Sequence, residues 1–238
     1  MEKQLFLISS SRSEGGGYLE HCSGALQKFL GPMAADELVF FIPYALKDHD
    51  GYGKKAADAF TAMGYNLVSA HTLLQNSSHN LLHNPKVKAV FVGGGNTFRL
   101  LRELETRYLL GAIKNYAQRG GKYIGSSAGS NMACPSIKTT NDMPIVQPLK
   151  FDALELVDFQ INPHFVPGNL VPGHMGETRE TRINEFHEEN DTPVIGLTET
   201  NWITVDGKKA TLHGKKDAFI FERNKELRMW RPETLLEL

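Results

Sequence analysis

The sequence predicts an α/β fold: a doubly wound, mostly parallel sheet with helices on both faces and a C-terminal antiparallel hairpin extension. Three observations predict it. Apolar runs alternate with stretches of helical spacing through the first half of the chain, the pattern of βαβ units. The first of these runs, Lys3 to Ile8, is apolar almost throughout, as a strand buried on both faces must be. Near the C-terminus Asp206-Gly207 lies between two apolar runs, a hairpin signal that a parallel sheet does not use.

Taken in order, the strand at Lys3 to Ile8 runs into a polar, Gly-rich loop, Ser9 to Gly17, and a helix over Tyr18 to Leu30 that Gly31-Pro32 stops. Glu37 to Pro43 reads as a strand, Leu46 to Gly53 as a loop, and Lys54 to Met63 as a helix closed by Gly64. Tyr65 to Ala70 is a third strand, and Ser77 or Ser78 caps a short helix through His83. Lys86 to Val92 is a fourth strand and ends in Gly93-Gly94-Gly95-Asn96. Helices follow at Thr97 to Glu105 and Leu109 to Arg119, the second ended by Gly120-Gly121, before a strand leading into Ser127. Pro135 to Lys150 is irregular. A strand over Val157 to Asn162 ends in Pro163-His164, and a long loop, Phe165 to Thr178, has the composition of a lid. Arg179 to Asn190 is a helix, Pro193 to Leu197 a strand, and the chain finishes in antiparallel runs around Trp202 to Val205, Lys209 to His213, Ala218 to Glu222 and Arg228 to Trp230. No repeat or linker interrupts this order, so residues 1–238 are expected to form a single domain.

Composition narrows the function classes. With 238 residues, 41% hydrophobic and 22% charged, the chain can bury a sizeable core, and its net charge of −1 gives nucleic acid or a membrane surface nothing to bind. Leu5-Phe6-Leu7-Ile8 is too short an apolar run for a signal peptide or a membrane span. Cys22 and Cys134 form no C-x-x-C pair, which points to reduced thiols and a cytoplasmic protein.

The chemistry centres on Gly125-Ser126-Ser127-Ala128-Gly129, where a strand turns sharply into a helix. Such a turn exposes the Ser127 side chain at the carboxyl edge of the sheet and aims the Ala128 amide into the same space. That pairing suits a nucleophile beside an oxyanion site. Gly93-Gly94-Gly95-Asn96, at a neighbouring strand end, reads either as a phosphate cradle or as a second oxyanion donor, and proximity favours the donor. His164 follows an apolar strand directly and is the candidate base, with His174 in reserve. Glu199 and Asp142 compete for the orienting acid, and strand-end placement favours Glu199. Arg179 and Arg182 share a helix face, which spacing alone reads as a solvated surface. His79 and His83 are spaced for zinc, but His-Asn-Leu-Leu-His lacks the metalloprotease glutamate, so neither a metal nor a cofactor is expected.

With these residues assembled, the sequence resembles the peptidase E family of alpha-aspartyl dipeptidases. The resemblance runs nearly end to end and is carried by Phe91 to Phe98, Gly125 to Gly129, Thr139 to Pro144, Asn162 to Phe165, Gly176 to Glu180 and Ile195 to Glu199. It implies a fold like that of the class I glutamine amidotransferase domain, with serine in place of the cysteine nucleophile. It implies hydrolysis of dipeptides, and some larger substrates, that begin with aspartate, through an acyl-enzyme on Ser127. By motif, His164 becomes the base, Glu199 the third member and Asp142 a further aspartate needed for activity. Gly95 and Ala128 become the oxyanion amides, and Arg179 reads the substrate aspartate with Asn96 lining the same pocket. The chain departs from the pattern at Ser126, where members can carry a bulkier residue. The expected partners are small peptides with an N-terminal aspartate; oligomeric state stays open, a homodimer included. Two other classes remain: a different serine hydrolase, esterase or cyanophycinase-like, and a non-catalytic binding module on the same fold.

Overall fold

A computed structural model describes residues 2–73, 80–168 and 177–236. Among these residues a seven-stranded sheet runs in the order β3-β2-β4-β5-β1-β8-β9. Its strands are β1 (Gln4–Ile8), β2 (Leu38–Ile42), β3 (Leu67–Ser69), β4 (Val87–Val92), β5 (Lys122–Ser126), β8 (Trp202–Asp206) and β9 (Lys209–His213). The first five pair in parallel. β8 joins the free edge of β1 antiparallel and β9 continues it, so the expected hairpin extension is present. Its register pairs Asp206 with Lys209, which moves the two-residue turn one position on, to Gly207-Lys208. Gly207 takes φ +61°, the region the first turn position of such hairpins demands.

Each parallel strand splits its side chains between two cores, because successive residues face opposite sides of a sheet. Leu5, Leu7, Phe40, Ile42, Val90 and Val92 enter one core; Phe6, Ile8, Val39, Phe41 and Phe91 enter the other. The first core is closed by α3 (Thr97–Thr106), α4 (Leu109–Gln118) and α5 (Ala128–Ala133), the second by α1 (Ser23–Leu30) and α2 (His49–Ala62).

The second half of the chain departs from a single extended sheet. β6 (Gln160–Pro163), β7 (Val194–Leu197), β10 (Ala218–Phe221) and β11 (Arg228–Trp230) form a separate four-stranded sheet, ordered β11-β10-β7-β6. One face of it, with Ile161, Ile195, Leu197 and Ile220, shares the first core. The other packs Phe165, Val194 and Phe221 against Ile183 of α6 (Arg179–Glu189). β6 is an edge strand, which is why it can end in Pro163 without losing a ladder bond.

Two further boundaries differ from the sequence expectation. α2 begins at His49 rather than Lys54, since the Asp48 carboxylate accepts the Gly51 amide (2.9 Å) and caps it; that cap outweighs the glycines at 51 and 53. β6 starts three residues late. Residues 154–156 instead donate their amides to the carbonyls of Met132, Cys134 and Ala133, folding this segment onto the end of α5. The expected caps Ser77 and Ser78 lie outside the described residues, as do His79, His174 and most of the loop read as a lid.

Candidate active site

The carboxyl ends of strands from both sheets meet at one place. From the large sheet come Ser9 after β1, Gly93 to Gly95 after β4 and Ser127 after β5; from the small sheet come His164 after β6 and Glu199 after β7. Ser9 joins them. Its hydroxyl donates to the Leu197 carbonyl (2.8 Å) and accepts the His164 amide (2.9 Å). A serine at a strand end carries no signature, so sequence reasoning passed over it.

Ser127 sits at φ +53° and ψ −109°, a conformation a residue with a side chain rarely adopts and that costs on the order of 1–3 kcal/mol. Its surroundings explain how the strain is held. The Ser127 amide donates to Ile8 (2.9 Å), and its carbonyl accepts the Ser130 and Asn131 amides as α5 begins. The flanking glycines are needed for contact, not only for the turn. A Cβ on Gly129 would lie 2.1 Å from the Val92 carbonyl oxygen, and one on Gly125 would lie 2.5 Å from that of Gly129. Ser126, the departure from the family pattern, is fully buried, and its hydroxyl has no partner among the described residues.

The Ser127 hydroxyl lies 2.8 Å from His164 Nε2, and His164 Nδ1 lies 3.1 Å from Glu199 Oε1. Like Ser127, His164 has a positive φ, +55°. A hydroxyl, an imidazole and a carboxylate in line can take a proton from the hydroxyl and stabilise the imidazolium that results. Asp142, the rival acid, has no bond to this line. Its carboxylate accepts from the Thr97 amide (2.7 Å), the Thr97 hydroxyl (2.6 Å) and the Thr140 hydroxyl (3.1 Å) at the start of α3.

Gly94 presses on Ser126 and Ser127, where a Cβ would lie 2.9 Å from the Ser126 carbonyl oxygen and 3.0 Å from the Ser127 Cβ. Gly95 has φ +136°, and a Cβ there would meet the Ala45 carbonyl at 2.7 Å. Among the described residues neither the Gly95 nor the Ala128 amide donates to the backbone. Asn96 caps α3 by accepting the Arg99 amide (3.0 Å) and donates to the Met143 carbonyl (2.8 Å), so both ends of its amide are engaged.

Arg179, the first residue of α6, donates from Nη1 to the Asn141 side-chain oxygen (2.6 Å). It is half-buried and makes no salt bridge among the described residues. Burial, and then Arg182 beside it, hold its pKa below the ordinary value, while the Asp142 charge opposes them. Asn141 in turn donates to the Pro163 carbonyl (2.7 Å) and accepts from Asn162 (2.8 Å), tying the arginine to the strand that delivers His164. Nothing in an isolated loop asparagine announces that bridge. Among the described residues no three His, Cys, Asp or Glu side chains gather as a metal site.

Residues 5–213 match the pattern of Peptidase family S51. The chain is 46% identical over 219 residues to peptidase E of Streptomyces coelicolor, covering 92% of this chain and 87% of that protein. It is 45% identical over 221 residues to a probable alpha-aspartyl dipeptidase of Drosophila melanogaster, covering 92% and 90%. A solved peptidase structure from an acI-B1 actinobacterium superposes with a TM-score of 0.72 at 15% identity, over 100% of this chain and 98% of that one, and speaks to the fold alone. A mixed α/β fold, a serine turned out at a strand end and close relatives along most of its length lead to one conclusion: the chain belongs to peptidase family S51.

Proposed function

We propose that this chain is a serine-type dipeptidase that hydrolyses dipeptides, and some larger substrates, with an N-terminal aspartate. The observation that carries the reading is the hydrogen-bonded line from Ser127 through His164 to Glu199, set behind a nucleophile with φ +53°. His164 Nε2 takes the Ser127 proton as the oxygen attacks the aspartyl carbonyl carbon. Glu199 holds the imidazolium. The oxyanion rests on the Gly95 and Ala128 amides, each worth on the order of 10²–10³ in rate in comparable sites. His164 then protonates the leaving nitrogen, the C–N bond breaks, and an aspartyl ester stays on Ser127. Water, giving its proton to His164, cleaves that ester, and the proton returns to Ser127 as aspartate leaves.

Specificity rests on Arg179. A half-buried guanidinium whose one hydrogen-bond partner among the described residues is a neutral amide is short of an anion, and a carboxylate can engage its fork bidentately. Asparagine in place of aspartate leaves that charge unpaired. The names of the relatives, peptidase E and alpha-aspartyl dipeptidase, agree with this substrate. The chain works as one domain in the cytoplasm, in keeping with two buried free thiols; no described helix is long and apolar enough to cross a membrane.

The test is hydrolysis of Asp-Leu, Asn-Leu and Leu-Leu by the wild type and by Arg179→Ala. The wild type cleaves Asp-Leu at least about tenfold better than Asn-Leu, the scale of a lost charged hydrogen bond. Arg179→Ala erases most of that ratio. A variant that still prefers Asp-Leu by the wild-type margin overturns the assignment of Arg179.

A further inference from the structure

We infer that Ser9 is a positioning residue for the reaction: its hydroxyl sets His164 and Glu199, carried by the small sheet, in register with Ser127, carried by the large one. The inference rests on the dipeptidase reading above and concerns the machinery of that same site. Ser9 is fully buried just past the end of β1 and acts through its neighbours.

The need for such a residue follows from how the line of three is built. Ser127 follows β5 of the seven-stranded sheet, while His164 and Glu199 follow β6 and β7 of the four-stranded one. Among the described residues no strand pairing joins the two sheets, so no ladder of backbone hydrogen bonds fixes the nucleophile against its base. A misplacement of about 1 Å between such groups costs on the order of a hundredfold in rate. The junction of Ile8 and Ser9 bridges the sheets. The Ile8 carbonyl accepts the Ser127 amide (2.9 Å). The Ser9 hydroxyl, on the next residue, accepts the His164 amide (2.9 Å) and donates to the Leu197 carbonyl (2.8 Å). The Ser9 amide donates to the Asn201 carbonyl (3.1 Å), so Ser9 holds both ends of the Leu197 to Asn201 segment that bears Glu199.

A hydroxyl suits this place because its two neighbours ask for opposite things. A carbonyl only accepts and an amide only donates, and a hydroxyl does both at one atom. With the Ser9 proton committed to Leu197, a lone pair is left for His164, so both bonds are directed at once. His164 needs such a hold, since its φ of +55° lies in the left-handed region that a side chain disfavours. The Leu197 carbonyl also accepts the Phe165 amide (3.0 Å), which fastens the residue after the base to the same atom. Alanine at position 9 takes away the partner of the His164 amide and lets the imidazole drift from Ser127. Among the described residues Ser9 makes no hydrogen bond to Arg179 or Asn141, so the loss falls on kcat rather than on KM.

Two variants test this: Ser9→Ala, and Ser9→Cys, which keeps the volume but offers only a weak donor and acceptor. The readouts are steady-state hydrolysis of Asp-Leu and the rate at which a fluorophosphonate labels Ser127, which needs no aspartyl substrate. Each folded variant should lose about ten- to hundredfold in kcat, with KM within about twofold, and should label more slowly by a similar factor. In the Glu199→Gln background, where the histidine has already lost its orienting carboxylate, Ser9→Ala should cost several-fold less. A packing role alone lowers the urea midpoint and costs the same in both backgrounds. A normal kcat in a folded variant, a loss carried by KM, or an equal loss in both backgrounds overturns the assignment of Ser9 and leaves the dipeptidase reading standing. If the wild type labels at Ser127 but turns over no aspartyl peptide, the dipeptidase reading fails, and the labelling rates decide on Ser9 by the same factors.

Discussion

At the scale of single residues, Glu199 and Asp142 show how little spacing says about a carboxylate's work. Glu199 follows the apolar strand β7 and Asp142 the polar run Thr139-Thr140-Asn141, yet either residue type suits an acid that orients a histidine. Their hydrogen bonds separate them: Glu199 meets His164, while Asp142 collects two donors of Thr97 and one of Thr140. The two substitutions should therefore fail differently. Glu199→Gln keeps the fold and lowers kcat by roughly 10²–10⁴, as when a histidine loses its orienting carboxylate. Asp142→Ala strands the Thr97 amide at a helix start and costs about 1–3 kcal/mol of stability, visible as a lower urea midpoint. Equal stability of the two variants would contradict this division. Ser9 and Asn141 belong to the same scale. Ser9 ties the end of β1 to those of β6 and β7, and Asn141 ties Arg179 of α6 to the end of β6; neither was legible, because a single polar residue in a loop shows its partners only once distant segments meet.

At the scale of elements, the turn from β5 into α5 is held by close backbone contacts at both of its glycines and by the positive φ of Ser127. Its G-x-S-x-G pattern was readable because close packing and positive φ both leave a mark in composition. Gly129 has no space to give, with the Val92 carbonyl where a Cβ would stand. Gly129→Ala should destabilise the protein by about 3 kcal/mol or more, since backbone rather than a side-chain tip must move; a urea midpoint equal to that of the wild type would contradict the packing. The parallel strands were legible for a similar reason, as burial on both faces writes an unbroken apolar run. The split into two sheets was not. Strands β7 and β10 carry the same kind of apolar run as the parallel strands of the large sheet, and which sheet a run joins depends on pairing between residues far apart in sequence.

At the scale of the whole molecule, burial of ionisable groups sets how stability follows pH. Burial pushes the Cys22 and Cys134 thiols up from 9.0 to about 12, and raises the Tyr18 and Tyr123 hydroxyls as well. The folded state holds these protons longer than the unfolded chain. Their contribution is therefore complete below about pH 9 and is lost as pH climbs toward 12. His21 works from the other side. Burial lowers its pKa, so stability falls as pH drops below 6.5, where the unfolded imidazole charges first. Urea midpoints should thus decline at both ends, and a midpoint that rises between pH 9 and 11 would contradict the burial of these groups. In the native state neither thiol should react with a disulfide reagent at pH 8, while both should react after unfolding.

The central claim is that Ser127 attacks the substrate with His164 as its base. Labelling with a fluorophosphonate tests it most directly, followed by peptide mass mapping and assay of Asp-Leu hydrolysis on the same samples. The account predicts one label per chain, on Ser127, with activity lost in proportion, and no labelling in His164→Ala. A label on another residue, or hydrolysis that survives full modification of Ser127, would contradict it.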